Sequence, residues 1–427
     1  VFVFVVYWES PVRQLSDSTF ALALSDQLLI AGSLDLTPYV RWYLEKPDRP
    51  LPYLVERVNG RIIYGFPHGT SFLSLPFHAV LRALGISPLD AEGNYDPRAE
   101  SDGQALLASL LMAGLGTLFY LMARLFLSQG WSLVVALCAC FGTQMWSTAS
   151  RSLWSDTWGI TLLGYAVWRL VRWEVKGEPV NPEWLATVLS WMYFVRPTNS
   201  VHIILITLYY AMRSRSAPLR VLRLALAGAA WLAGFLWYSQ HLYGQWLPNY
   251  YQPGRLRLEM LWPSLTGNLF SPSRGLLIYV PLVPFVFYVV VRYRRYLPLP
   301  LLAVLGIAGA LAQLLPVALF DVWWGGHCYG PRLTTGLVPW IALLGVLGLR
   351  ARLEAGQRDG RLRSRERAVA CVAVALGFFM HARGALSLDT QLWNPRPYSV
   401  DPSRVWSWRH PQMLAGIIRA PVSNMYP

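Results

Sequence analysis

Long apolar runs alternate along this chain with short polar segments, most of them basic. The runs 105–123, 131–150, 224–240 and 296–320 carry no charged residue. Each approaches or exceeds the ~18 residues that a helix needs to cross a bilayer. Further apolar segments follow the same pattern at 156–171, 184–195, 197–212, 275–291, 333–349 and 368–382. The opening VFVFVVYW is too short to span and reads as the outer end of a first helix. Arg196-Pro197 separates two of the runs, and the residue before a proline is a helix boundary. None of the runs alternates apolar with polar residues, which argues against a β-barrel. The fold class expected is all-α: a polytopic transmembrane bundle of about 11 spans.

The polar remainder divides unevenly. Residues 9–104 form a long first outer loop, with two apolar stretches, Phe20–Ile30 and Thr70–Leu84, that read as helices on or dipping into the membrane surface. A second large loop covers 241–274, and DVWWGGHCYGPR precedes the run at 333–349. Arg350–Arg367 reads as a basic loop. The division expected is a membrane domain at 1–382 and an outer C-terminal tail at 383–427, packed as loop. No internal repeat is evident.

Charge fixes an orientation. Only 14% of residues are charged, against about 25% in a soluble domain. The net charge of +14 invites a nucleic-acid partner, but the arginines gather at span ends, as the positive-inside bias requires. With the N-terminus inside, every short inside loop is basic, and Asp17, Asp156 and Asp321 fall outside. The 20 Trp and 22 Tyr suit interfacial belts. Cys138, Cys140 and Cys371 lie in apolar runs and Cys328 in a polar loop, with no spacing for a disulfide framework or a metal.

Two acids stand at membrane boundaries, where an ionisable side chain is costly and marks a candidate site. Asp17 and Asp156 could each act as general base towards a hydroxyl. Each could equally cap the helix that follows, since Asp is a favoured N-cap. Asp26 and Asp35 read as solvated or turn residues. Arg196, Arg274 and Arg332 each occupy a loop-to-span junction and could grip a phosphate bidentately; snorkelling to headgroups is the alternative. His68 and His327 could add donors. Gly325-Gly326 and Gly330-Pro331 allow close backbone approach to a ligand, and Trp323, Trp324 and Tyr329 could stack on a sugar. Nothing resembles a nucleotide-binding glycine motif or a nucleophile elbow.

Together, LSDSTFALALSDQLLIAGSLDL, NGRIIYGFPHGTSFLSLP, SRSLWSDTWG, FVRPTNS, NLFSPSRGLLIYVPLVPF and WWGGHCYGPRL resemble the C-superfamily of integral membrane glycosyltransferases (GT-C). Within it they resemble in particular bacterial relatives of the protein mannosyltransferases and aminoarabinose transferases. The resemblance implies a sugar on a polyprenyl-phosphate donor, transferred at the outer face of a bacterial cytoplasmic membrane to a glycan, lipid or protein hydroxyl. It implies Asp17 as the base, Asp156 as the second acid, and arginines on the phosphate. Many members pair two adjacent acids in the first loop, whereas Asp17 is flanked by serines; no cofactor or metal is expected here. Two other readings remain: a lipid-linked sugar flippase, and a silent relative serving as a structural subunit.

Overall fold

The computed structural model describes residues 1–45, 51–359, 364–394 and 402–418. The described residues are mostly helical. After α1 (Phe2–Glu9), an extended stretch leads into α2 (Ala21–Ala31), and α3 (Arg41–Leu44) is a single turn. A small antiparallel hairpin, β1 (Val55–Val58) and β2 (Arg61–Tyr64), pairs Val55 with Tyr64 and Val58 with Arg61. It departs from the all-helical expectation. Its turn is Asn59-Gly60, both at positive φ, the dipeptide that a tight hairpin favours because its twist matches that of the strands.

α2 was expected at the membrane surface. Instead residues 21–27 are buried. It packs against α4 (Gly69–Ala83), and its apolar side chains join Tyr39, Val55, Ile62 and Tyr64 in a small core of their own. The first loop is thus a folded cap over one end of the bundle.

α5 (Pro97–Ala123) starts earlier than its apolar run. Asp96 caps it, accepting from Arg98 N at 2.8 Å and Ala99 N at 3.3 Å, with Pro97 pre-set for the first turn. The single run 131–150 becomes α6 (Gln129–Phe141) and a wide π turn, Met145–Ala149. The break comes at Gly142-Thr143, where Thr143 Oγ1 donates back to Ala139 O at 2.6 Å. α7 (Ser155–Lys176), α8 (Pro182–Val195), α9 (Ser200–Arg213) and α10 (Pro218–Tyr243) follow, α8 and α9 turning at Arg196-Pro197. After α11 (Leu261–Phe270), the run 275–291 breaks at Pro281 into α12 (Leu276–Tyr279) and α13 (Leu282–Arg292). α14 (Pro300–Ala318) and α15 (Val338–Asp359) pack side by side. α15 continues through part of the segment expected to be a basic loop; residues 360–363 of that segment lie outside the described residues. α16 (Ser364–Leu386), α17 (Leu388–Leu392) and α18 (Pro402–Val405) complete the chain, so the tail is partly helical. Its residues 395–401 and 419–427 also lie outside those described.

Among the described residues, 5 helical segments are long and apolar enough to cross a membrane: Pro97–Ala123, Pro218–Tyr243, Pro300–Ala318, Arg332–Gln357 and Ser364–Leu386. They mark the chain as a membrane protein. α15 forms the centre of the bundle, while α10 lies at its edge with Leu222, Leu226, Leu232 and Trp237 exposed. Lipid solvates such a face as well as protein does. One end of the bundle gathers the first-loop cap, residues 244–260 and the tail. The other carries basic turns paired with acids, as in Arg213–Glu174, Arg223–Glu183 and Arg352–Glu366.

The α14–α15 contact depends on a glycine. A Cβ on Gly309 would stand 2.4 Å from the indole of Trp340, which is fully buried and donates to His202 Nδ1 at 3.2 Å. Gly309→Val is expected to cost about 1–3 kcal/mol through overpacking, read as a lower melting temperature in detergent. An unchanged melting temperature would show that α14 does not lie against Trp340.

Candidate active site

Hydrogen bonds zip the segment after α1 onto the turn before α7. The buried guanidinium of Arg151 reaches the last carbonyls of α1, donating to Tyr7 O and, at 2.9 Å, to Ser10 O. Gln14 donates from its backbone to Arg151 O at 3.3 Å and from Nε2 to Ser147 O at 2.7 Å. Ser18 Oγ meets Ser152 Oγ at 2.6 Å. The two strings of residues therefore run side by side, and their acids, Asp17 and Asp156, come to one place.

An arginine from a third segment lies between them. Arg332 donates from Nη1 to Asp17 Oδ2 at 2.8 Å and faces Asp156 Oδ2 with Nε at 3.5 Å. Its Cζ stands 3.7 Å above the ring centre of Trp154. Arg196 pairs with Asp156 Oδ1 at 2.5 Å and donates from Nε to Thr198 Oγ1 at 2.9 Å. Two carboxylates and two guanidiniums thus alternate in a row: Asp17, Arg332, Asp156, Arg196. Their formal charges cancel, which is what tolerates them in so enclosed a place.

The row forms part of the wall of a cavity of about 690 Å³, together with Gln252, Asp321 and His327. Asp17, Arg196 and Arg332 line it. Asp156 does not; it is 3% exposed, against 28% for Asp17. Asp17 faces the space, and Asp156 stands behind the arginines and aims them. Asp17 is held further by Tyr53 OH, which donates to Oδ1 at 3.1 Å, and by Tyr64 OH, which donates to its backbone O. Burial, and next the Asp17 carboxylate, push the Tyr64 phenol up, so it stays a donor. A second cavity of about 340 Å³ adjoins at Phe66, Tyr250 and Tyr251 and is walled by Trp191, Trp231, Phe235 and Tyr238. It lies towards the C-terminal ends of α8 and α10.

The remaining candidates lie elsewhere. Arg274 is 1% exposed. It donates to Trp324 O, Ser273 O, Gly326 O, Asn394 Oδ1 and Gln412 Oε1. A guanidinium has five N–H donors, so none is left for a phosphate. Arg274 instead braces the loop that delivers Arg332. His68 lines the aromatic cavity, with Nδ1 on Tyr238 OH at 2.5 Å and Nε2 on Tyr64 O at 2.8 Å. Burial lowers its pKa to about 4, so it is neutral at physiological pH and supplies no cation. Gly325 and Gly326, both at positive φ, line the polar cavity, whereas Trp323 and Tyr329 are buried.

Neither acid caps its helix. The open N–H groups at the start of α2 belong to Glu100, which accepts from Phe20 N at 3.1 Å, Leu22 N at 3.0 Å and Ala23 N at 3.3 Å. α7 has no side-chain cap bond. Asp26 is fully buried rather than solvated, accepting from Tyr39 OH at 2.9 Å, His78 Nε2 at 2.9 Å and Arg82 at 2.5 Å. Burial alone would raise its carboxyl; those bonds outweigh it and bring it below the ordinary value. Asp35 is a turn residue, accepting from Thr37 N at 3.0 Å.

Glu100, Gln104 and Arg151 were not singled out from the sequence. Arg151, a lone charge ending an apolar run, carried a usable signal. Glu100 and Gln104 open an ordinary helix, and nothing local shows that they serve other segments. Among the described residues, no three His, Cys, Asp or Glu side chains gather to share a metal ion.

Two substitutions separate the roles. Glu100→Ala strands three buried N–H groups and is expected to cost more than about 2 kcal/mol. Asp17→Asn keeps an acceptor and is expected to change stability less. Comparing their melting temperatures in one detergent checks this; a larger loss for Asp17→Asn would return the cap to Asp17.

No protein-family model matches the chain, and no curated protein matches it.

Proposed function

We propose that this protein is a GT-C type glycosyltransferase that takes a sugar from a polyprenyl-phosphate donor at the outer face of a bacterial cytoplasmic membrane. The observation that carries the reading is the alternating row of Asp17, Arg332, Asp156 and Arg196 on a cavity that adjoins an aromatic one. An amphiphilic phosphate ester needs that pair of environments: cations for its phosphate, apolar walls for its chain. The bundle then makes about 11 crossings, with the basic turns inside, and the acceptor hydroxyl belongs to a glycan, lipid or protein.

In this reading Arg332 and Arg196 hold the phosphate. Asp17 removes the proton of the acceptor hydroxyl, and the freed oxygen attacks the anomeric carbon opposite the phosphate. The bond from that carbon to the phosphate oxygen breaks, with inversion, and the fixed cations stabilise the charge left on the polyprenyl phosphate. Asp156 touches neither substrate; it holds both arginines. Arg332 neutralises Asp17. An arriving phosphate competes for that guanidinium and leaves the carboxylate available as a base. Arg332 is stacked on Trp154 and bonded at two nitrogens, so a lysine there would keep the charge and lose the geometry.

The test is transfer from a polyprenyl-phosphate sugar to candidate acceptors by the purified protein. Asp17→Asn should lower the rate by about 10²–10⁴-fold, the usual worth of a general base, while still binding polyprenyl phosphate. Arg332→Lys should weaken that binding. Normal turnover by Asp17→Asn removes Asp17 as the base, and absence of transfer with every donor removes the enzyme reading. For orientation, a thiol reagent applied outside should modify Glu259→Cys and miss Ser364→Cys, two exposed positions at opposite ends. The reverse labelling would put the cavity in the cytoplasm.

A further inference from the structure

α5 passes beneath both acid-bearing segments, and one of its side chains holds them together. Gln104 is fully buried, one turn beyond Glu100. Its Nε2 donates to the backbone O of Ser18 at 2.7 Å and to Glu100 Oε1 at 3.0 Å. Its Oε1 accepts from Ser152 Oγ at 2.7 Å and from Leu153 N at 3.1 Å. Ser18 adjoins Asp17. Ser152 and Leu153 lead directly into Trp154, the ring beneath Arg332, and on to Asp156. The contact between Ser18 Oγ and Ser152 Oγ closes the third side of the same triangle.

The chemistry of the side chain matters here. A primary amide presents donors and an acceptor at one end, so one group can take a carbonyl from the Asp17 segment and an N–H from the Asp156 segment. A carboxylate would lack the donors and would face Glu100. A hydrocarbon would leave Ser18 O and Leu153 N buried without partners. Gln104 does not line the polar cavity, so any effect on chemistry passes through the acids.

We propose that Gln104 is a positioning residue: it sets the spacing of Asp17 and Asp156 across Arg332, and through it the rate of transfer. The rate half rests on the transferase reading; the spacing half stands without it. Arg151 and Gln14 also join the two segments, at Tyr7, Ser10 and Ser147, whereas Gln104 joins them at Ser18, Ser152 and Leu153, next to the acids. A carboxylate displaced by an ångström from its working place costs about 10²-fold in rate.

The experiment pairs an activity-free measurement with a kinetic one. A thermal double-mutant cycle of Asp17→Asn and Arg332→Gln, run on the full chain in detergent, reads the coupling of the pair as non-additive melting temperatures. In the wild-type background the non-additivity should reach about 2 °C or more. In the Gln104→Met background it should vanish, because the shape is kept and the amide is lost. Ser152→Ala removes one arm only and should reduce the coupling partly; it decides the matter should Gln104→Met not fold. Coupling that persists undiminished in both backgrounds overturns the proposal, whatever the protein catalyses. Coupling that collapses while the wild type transfers no sugar supports the spacing role and sinks only the transferase reading. Where transfer is measurable, Gln104→Met should lower kcat by about 10²-fold with the donor KM little changed. Glu366→Gln, which removes the charge and one of the two oxygens that accept from Tyr288, Tyr293 and Arg352 at the other end of the bundle, should lower the melting temperature and leave kcat intact. Equal losses of kcat in the two variants would mean that Gln104 acts through stability alone.

Discussion

A guanidinium enclosed by protein must be met there by counter-charges or neutral acceptors, and Arg332 finds two carboxylates. It lies between Asp17 and Asp156 with the Trp154 ring against its face. Removing Asp156, the enclosed member, would leave the guanidiniums short of a counter-charge, which is far more costly than the net worth of the pair. The three segments that carry these groups are distant in the chain: the stretch after α1, the start of α7, and the turn before α15. The row of charges therefore exists only if the surrounding structure brings each segment to its place.

Two polar hubs do that work. On one side, Arg274 and Gln412 tie the loop 321–332 to the tail. Gln412 accepts from Arg274 and from Gly330 N, and donates to Cys328 O and Thr390 O. On the other side, Arg151, Glu100 and Gln104 bind the first loop to the helices beneath it. All of these polar side chains are buried and share most of their bonds with backbone. Such groups are expensive to enclose unless every donor and acceptor is met, and here the partners are carbonyls and N–H groups of irregular chain. Outside the β1–β2 hairpin, these irregular stretches have no regular ladder to satisfy them. The buried side chains supply it, and in doing so fix loop positions that neither helix propensity nor apolar packing would determine.

The functional reading follows from the same economy of charge. In a site whose cations are neutralised by its own carboxylates, an anionic ligand must exchange one partner for another. Asp17 is the member of the row with room to do so, since it alone keeps substantial exposure. Asp156, enclosed behind the arginines, is the fixed counter-charge that keeps them in place as Asp17 changes partners. The adjoining cavity is walled mainly by aromatic rings, with Glu56 also in its lining, and suits the apolar part of the same ligand.

Apolar run length settled, from the sequence alone, that the chain is helical and made for a membrane, because that signal is local and long. Proline marked the boundary at Arg196-Pro197 for the same reason, whereas the Asn59-Gly60 hairpin turn, an equally local signal, lies outside what the all-helical reading expects. Asp17, Asp156, Arg196 and Arg332 could be picked out as charges at span mouths, since a charge there is costly wherever it points. What the sequence could not decide was which charges meet. Arg274 and Arg332 look alike in SPSRG and YGPR; only the tertiary structure turns one into a brace with all its donors spent and the other into a bridge between acids. Asp17 and Glu100 were equally ambiguous, because a cap can come from any segment that reaches the helix end, and Glu100 reaches α2 from α5. Hydrogen-bond partners far apart in sequence leave no periodic trace along the chain, so their assignment belongs to the fold.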